Sequence, residues 1–64
     1  MLDNHAYNLL TQLMVEHKSL WRIKNSYKND AGDCQSCRSF WEKLEKDKEG
    51  HVEELKELVK QHLA

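Results

Sequence analysis

The sequence predicts an all-α protein, an antiparallel hairpin of two helices that pairs with a second hairpin into a four-helix bundle. Two stretches repeat mostly apolar side chains at alternating steps of four and three residues, which places each series on one helix face. A single break rich in Asn, Asp and Gly separates them, and the chain has no proline. All 64 residues are assigned to one domain. The first series is Leu2, Ala6, Leu9, Leu13, Glu16, Leu20, Ile23 and Tyr27, and the second is Cys37, Trp41, Leu44, Lys48, His51, Leu55, Leu58 and His62.

Helix 1 is predicted over about residues 4–28, because Asp3 or Asn4 can cap its first free amides. The turn is predicted over about residues 29–33. Asn, Asp and Gly in that stretch favour tight turns and the left-handed backbone that ends many helices. Helix 1 therefore contains every residue of the first series except Leu2.

Helix 2 is predicted over about residues 34–63, with Asp33 or Ser36 as its N-cap. Two helices of this length joined by a short turn lie side by side in opposite directions. In that arrangement Glu16 faces the level of Lys48, so the polar residues near the middle of each series meet one another.

Charge and composition argue against several classes of function. The 10 Lys and Arg residues and 11 Asp and Glu residues leave a net charge of −1. Nucleic-acid binding needs an excess of basic side chains on one face, so we do not expect it. The sequence has no polybasic segment for an anionic membrane and no apolar run long enough to cross a bilayer. Because the features of a signal peptide are also missing, we expect a soluble cytoplasmic protein.

Each helix carries further, mostly apolar side chains beside its main series. On helix 1 these are Tyr7, Leu10, Met14, His17 and Trp21, and on helix 2 they are Phe40, Val52 and Val59. One partner helix cannot cover them all, and large exposed apolar surfaces usually mark interfaces. The pattern therefore predicts a homodimer. The alternative is a hairpin that docks on a different protein.

Ionisable residues interrupt both series near their middle, namely Glu16 in the first and Lys48 with His51 in the second. A carboxylate in an apolar core must be paired, hydrated, neutralised or bound to a metal. One interpretation is an ion pair between Glu16 and Lys48, a polar layer that sets the register of the helices. The other is a metal site in which Glu16, His51 and Asp47 from two chains bind iron, manganese or zinc.

The segment from Glu45 to Leu55, together with Glu16, resembles the half-site of ferritin-like and rubrerythrin-like di-iron proteins. In that family a carboxylate on one helix accompanies a Glu-x-x-His on the next. Glu16 and His51 match the pattern, whereas Lys48 departs from it by occupying the glutamate position. The resemblance implies a two-helix half-bundle that dimerises, as in the ferritin-like proteins of encapsulin shells. The Lys48 ammonium group would repel a bound cation. The resemblance therefore supports the fold more than the iron chemistry.

Cys34 and Cys37 form a Cys-x-x-Cys pair in the predicted first turn of helix 2, where the helix dipole favours a thiolate. Three interpretations stay open: two reduced thiols, a local disulfide that is redox-active or inert, or half of a zinc site. Zinc would need two more ligands. If two hairpins pack in opposite directions, His5 and His62 of one chain could meet the cysteines of the other.

These features allow three functions. The first is a small self-associating helical hairpin that binds a metal and has ferritin-like ancestry. The second is a structural or adaptor module without metal, and the third is a thiol redox protein. The sequence has no convincing catalytic cluster and no glycine-rich phosphate loop, so we do not predict an enzyme.

Overall fold

The computed structural model describes residues 3–63, so Leu2 of the first series lies outside the described part. Within that range the chain is all-helical and has no strand, as predicted. The first arm is continuous through three helical segments, and a short turn leads to the second arm. The segments are α1 (Asn4–Arg22), a π-helical turn (Ile23–Tyr27), α2 (Lys28–Asp30) and α3 (Gln35–Leu63).

The two arms run antiparallel along their whole length. At the turn end Lys28 of the first arm pairs with Glu45 of α3, and near the middle Glu16 pairs with Lys48. At the open end the rings of His5 and His62 lie edge to face with their centroids 4.6 Å apart. The result is a thin rod of 48 × 16 × 13 Å.

Hydrogen bonds at the chain's two helix starts explain where the arms begin. The Asp3 carboxylate accepts the Ala6 N–H at 2.8 Å and caps α1, as its residue type indicates. At the start of α3 the cap is a thiol instead of Asp33 or Ser36. The Cys37 N–H donates to the Cys34 sulfur at 3.3 Å. Sequence reasoning missed this cap because sulfur is not among the usual capping acceptors.

The turn depends on one glycine with a left-handed backbone, whereas the second glycine of the chain is unconstrained. Gly32 has φ +57°, a region that other residues enter only at a cost. Gly50 lies within α3, and a methyl group added there would meet no atom within 4 Å. Gly50 therefore serves no close helix approach.

Gly50→Ala is expected to raise the free energy of unfolding by about 0.5–1 kcal/mol, because alanine loses less backbone entropy in a helix. Gly32→Ala is expected to lower it by about 1 kcal/mol, because its backbone is left-handed. Urea unfolding of both variants at one protein concentration checks the pair. A less stable Gly50→Ala protein would mean that the surface at position 50 is covered in solution.

The packed face of α3 is shifted from the predicted one. Its inward residues follow the steps Trp41, Glu45, Lys48, Val52, Leu55 and Val59, all of them buried or half-buried. Val52, expected on an exposed row, is buried, and Val59 is half-buried. His51, expected on the packed face, is exposed. The reason is the rotation of α3 about its own axis. The side of α3 that faces α1 lies between the predicted second series and the predicted exposed row.

The π-helical turn changes the phase of the first arm. Its extra residue lets the Lys28 N–H bond to the Ile23 carbonyl, five residues back. Lys28 consequently takes the inward position that a regular helix would have given to Tyr27, and its Nζ lies 2.8 Å from Glu45 Oε1. The Asn25 side chain donates to the Trp21 carbonyl at 2.9 Å within the same region. A sequence analysis that assumes a regular α-helix throughout could not predict this shift from Tyr27 to Lys28.

Among residues 3–63 no helix combines the length and the apolar character required to cross a membrane.

Candidate functional site

Glu16 is a buried charged residue in the middle of the rod. It lies on the inward face of α1, one turn before Leu20, and only 8% of its surface is exposed. Glu16 is buried because it occupies one position of the apolar series, whose side chains face the other arm. A carboxylate so placed needs partners, since burial disfavours its charged form.

Three side chains surround the Glu16 carboxylate. Lys48 Nζ lies 2.8 Å from Oε2, an ion pair whose angles depart from those of an aligned hydrogen bond. Gln12, one turn earlier on α1, donates through Nε2 to Oε1 at 3.2 Å. His51 Nδ1 is 3.6 Å from the same oxygen, too far for a hydrogen bond. The core of this group is therefore the glutamate–lysine pair, with His51 at its exposed rim.

The Lys48 ammonium lowers the pKa of Glu16 below its usual 4.5, and the Gln12 hydrogen bond acts in the same direction. Burial acts oppositely and raises the pKa, but its effect is smaller than that of Lys48. Glu16 is thus ionised at neutral pH, and its charge is compensated by that of Lys48.

This arrangement predicts a specific loss of stability in acid. Because the folded pKa of Glu16 is below the unfolded value of 4.5, the folded chain binds fewer protons there. The contribution is fully present above pH 4.5 and disappears as the pH falls through the folded pKa. Urea unfolding at pH 7 and pH 3 should show a smaller acid-induced fall for Glu16→Gln than for the parent. The control is Glu53→Gln at a side chain 74% exposed, which should keep the parent's fall.

The structure brings together only part of the predicted central metal site. Glu16 and His51 are neighbours, whereas Asp47 is exposed and Lys48 takes the place beside the carboxylate. Across residues 3–63 no group of three or more His, Cys, Asp or Glu side chains is placed to hold a metal ion. Within one chain the geometry is that of a polar layer.

The residues of the predicted intersubunit zinc site lie at opposite ends of the rod. His5 and His62 are in contact at the open end, and Cys34 and Cys37 lie at the turn. Both thiols are free and exposed. A single chain therefore cannot assemble the Cys-Cys-His-His set.

The two cysteines have unequal surroundings at the start of α3. The sulfur of Cys34 accepts the Cys37 N–H and lies 3.5 Å from the Ser36 hydroxyl. The neighbouring Cys37 thiol is the main cause of a lowered pKa of Cys34, followed by Ser36. Conversely, Cys34 raises the pKa of Cys37. The Cys34 thiol therefore ionises more readily than the Cys37 thiol.

An apolar row runs along α1 beside the packed face. Tyr7, Met14 and Trp21 repeat every seven residues and are 60%, 59% and 62% exposed. Leu10 lies half-buried at its edge, and Val15, which the sequence analysis did not single out, is also exposed. The row was predicted, and it is uncovered in the single chain.

Comparison with models of known protein families, with curated proteins and with solved structures finds no match. The resemblance to a ferritin-like half-bundle therefore stays a prediction.

Proposed function

We propose that this chain is a self-associating helical module in which two hairpins pair through α1 to form a four-helix bundle. The observation that carries the proposal is the exposed row of Tyr7, Met14 and Trp21. Contiguous apolar surface of this kind is typical of interfaces, whereas scattered apolar residues are not. A second copy is a partner that is always available to cover it.

The small core supports the same proposal. Among the described residues the buried apolar side chains are Ala6, Leu20, Ile23 and Val52. Fully burying a Leu, Ile or Val side chain stabilises a fold by about 1.5–3 kcal/mol. Chains of this size usually need additional stabilisation from oligomerisation, disulfides or metals. Burial of two large aromatic rings per chain against a partner would supply it.

The charge distribution favours a second copy over another protein. The first part of α1, residues 4–15, contains no Asp, Glu, Lys or Arg. In a two-fold dimer the same patch of each copy faces the other, so a charge at the axis would meet its own copy. Residues 4–15 carry no such charge. Lys18, between Met14 and Trp21, is four residues from an axis at Met14 and would face the level of Leu10.

The spacing of the row also defines a register. A two-fold axis at Met14 places Tyr7 of one chain opposite Trp21 of the other, because both are seven residues from the axis. In that register the partner's His5 is level with residue 23, whereas Cys34 lies at the turn, level with the end of the first arm at Asp30. The separation is about seven residues, or roughly 10 Å along the axis. The dimer we propose therefore does not form the predicted zinc site.

Within this module we assign the Glu16–Lys48 pair a structural role as a polar layer that fixes how the arms align. Lys48 neutralises the carboxylate at 2.8 Å, which leaves iron, manganese or zinc little to gain there. A cytoplasmic location, which keeps thiols reduced, fits the two free cysteines.

A native mass spectrum of the protein, purified without chelator and sprayed over a range of concentrations, tests the proposal. We expect a metal-free dimer that dissociates on dilution. A monomer at all concentrations would overturn self-association and favour the adaptor alternative. A dimer carrying a stoichiometric metal ion would instead contradict the polar-layer role of Glu16.

A further inference from the structure

The turn end of the rod carries a pair of thiols that the proposed dimer does not use. Cys34 and Cys37 are both exposed and free; Cys34 directly precedes α3, and Cys37 lies in the first turn of that helix. Residues three apart within a helix have Cβ atoms about 5–6 Å apart, and the capping bond keeps these two close in the same way. A disulfide needs a Cβ separation of about 3.5–4.5 Å, so a small adjustment at a helix end closes the ring.

The surroundings distinguish the two sulfurs. Cys34 Sγ receives the Cys37 N–H at 3.3 Å and contacts the Ser36 hydroxyl at 3.5 Å, so two polar groups can stabilise negative charge on it. It also lies at the N-terminal end of α3, a helix of 29 residues, whose dipole favours an anion there. The lowered pKa of Cys34 and the raised pKa of Cys37 agree with this inequality.

The turn is held in place by the first turns of α3. The Arg38 guanidinium donates through Nη1 to the carbonyls of Lys28 at 3.2 Å and Gly32 at 3.3 Å. The Arg38 N–H also donates to the Cys34 carbonyl at 3.0 Å. These bonds fix the position of Cys34 without covering its sulfur, which leaves the thiol open to a reagent from solution.

We propose that Cys34 and Cys37 form a thiol–disulfide exchange site for small-molecule disulfides, with Cys34 as the attacking and Cys37 as the resolving residue. The Cys34 thiolate attacks one sulfur of the small disulfide, and a mixed disulfide forms while the first thiolate leaves. Cys37 then loses its proton to solvent and attacks Cys34 Sγ, which expels the second thiolate. The chain is oxidised by two electrons to an internal disulfide, and one small disulfide is reduced to two thiols.

Reaction of the reduced full-length protein with oxidised glutathione, in the presence of a chelator, tests the site. Mass spectrometry should show the parent losing two hydrogens without retaining glutathione. Cys37→Ser should accumulate a glutathione adduct on Cys34, because the resolving thiol is missing. Cys34→Ser should react at least about threefold more slowly than Cys37→Ser, because Cys34 keeps the backbone N–H of position 37 and the Ser36 hydroxyl when residue 37 is serine. The rate rises with thiolate fraction more than it falls with nucleophilicity.

Serine at position 34 can still cap α3, so both variants should retain the helical circular dichroism of the parent. Equal rates for the two single variants would overturn the assignment of Cys34 as the attacking residue. A parent that only accumulates glutathione adducts would overturn the exchange site altogether. Tight binding of Zn²⁺ in the absence of the chelator, if it protected both thiols from oxidised glutathione, would also overturn the exchange site. None of these outcomes depends on the oligomeric state, so this proposal and the proposed dimer can fail separately.

Discussion

Met14→Glu is expected to convert the dimer into a monomer. In the proposed register Met14 lies on the two-fold axis, so the substitution places two carboxylates face to face in an apolar contact. The few interface residues whose truncation costs about 2 kcal/mol or more cluster at the centre of an interface, and each 1.4 kcal/mol is a tenfold change in Kd. We therefore expect Kd to rise at least about 30-fold, as measured by sedimentation equilibrium.

Phe40→Glu is the matched control for Met14→Glu. Phe40 is 56% exposed, close to the 59% of Met14, but it lies on α3 near the turn and outside the α1 row. Its substitution should leave Kd within about threefold of the parent, as expected for a residue at the edge of an interface. Equal weakening by both variants would mean that the interface is not centred on α1.

A charge-swap experiment tests the register itself. Met14→Glu and Met14→Lys should each be monomeric alone, since each repeats its own charge across the axis. An equal mixture should recover a heterodimer in native mass spectra, because opposite charges then face each other. No preference for the mixed pair would place the two-fold axis elsewhere along α1.

Glu16→Leu is expected to lower the free energy of unfolding by about 1–2 kcal/mol. The change leaves the Lys48 ammonium without its partner at the interface between the arms. Loss of one member of a fully buried pair costs about 3–5 kcal/mol. The cost is smaller here because the Lys48 side chain is 21% exposed and can extend its ammonium into water.

The double variant Glu16→Leu with Lys48→Met should regain the stability of the parent or exceed it. Well-packed apolar residues often replace an internal ion pair at no cost. Urea unfolding of the parent, both single variants and the double variant gives the coupling energy of the pair. The same set should be repeated with added iron, manganese or zinc. Stabilisation by metal that Glu16→Leu abolishes would show that the carboxylate is a ligand and would contradict the polar layer.

The sequence predicted the central pair because its two members interrupt regular apolar series. Glu16 is the one charged residue of the first series, and Lys48 lies at the matching level of the second. Their contact at 2.8 Å follows once two helical arms of similar length run antiparallel. The apolar row of α1 was also predictable, because residues seven apart lie on nearly the same face of any straight helix.

The sequence could not predict features that depend on small backbone adjustments. His51 and Val52 are adjacent in sequence, and either could face α1 until the rotation of α3 is known. The structure turns Val52 inward and His51 outward. Burial of an apolar side chain in place of an imidazole favours that rotation. The Cys34 cap and the Arg38 bonds to the turn carry no sequence signature that could have identified them.

In evolutionary terms the π-helical turn is equivalent to a one-residue insertion in a regular helix. Lys28 is five residues after Ile23, yet it lies in the direction that the fourth residue has in a regular helix, where each residue advances by about 100°. Deleting one residue within Ile23–Tyr27 would therefore restore a regular helix and keep Lys28 beside Glu45. Inserting a second residue there would instead rotate Lys28 by about 100° and leave that glutamate without its cation. Relatives whose first arm is one residue shorter are therefore expected to retain the pair of Lys28 and Glu45.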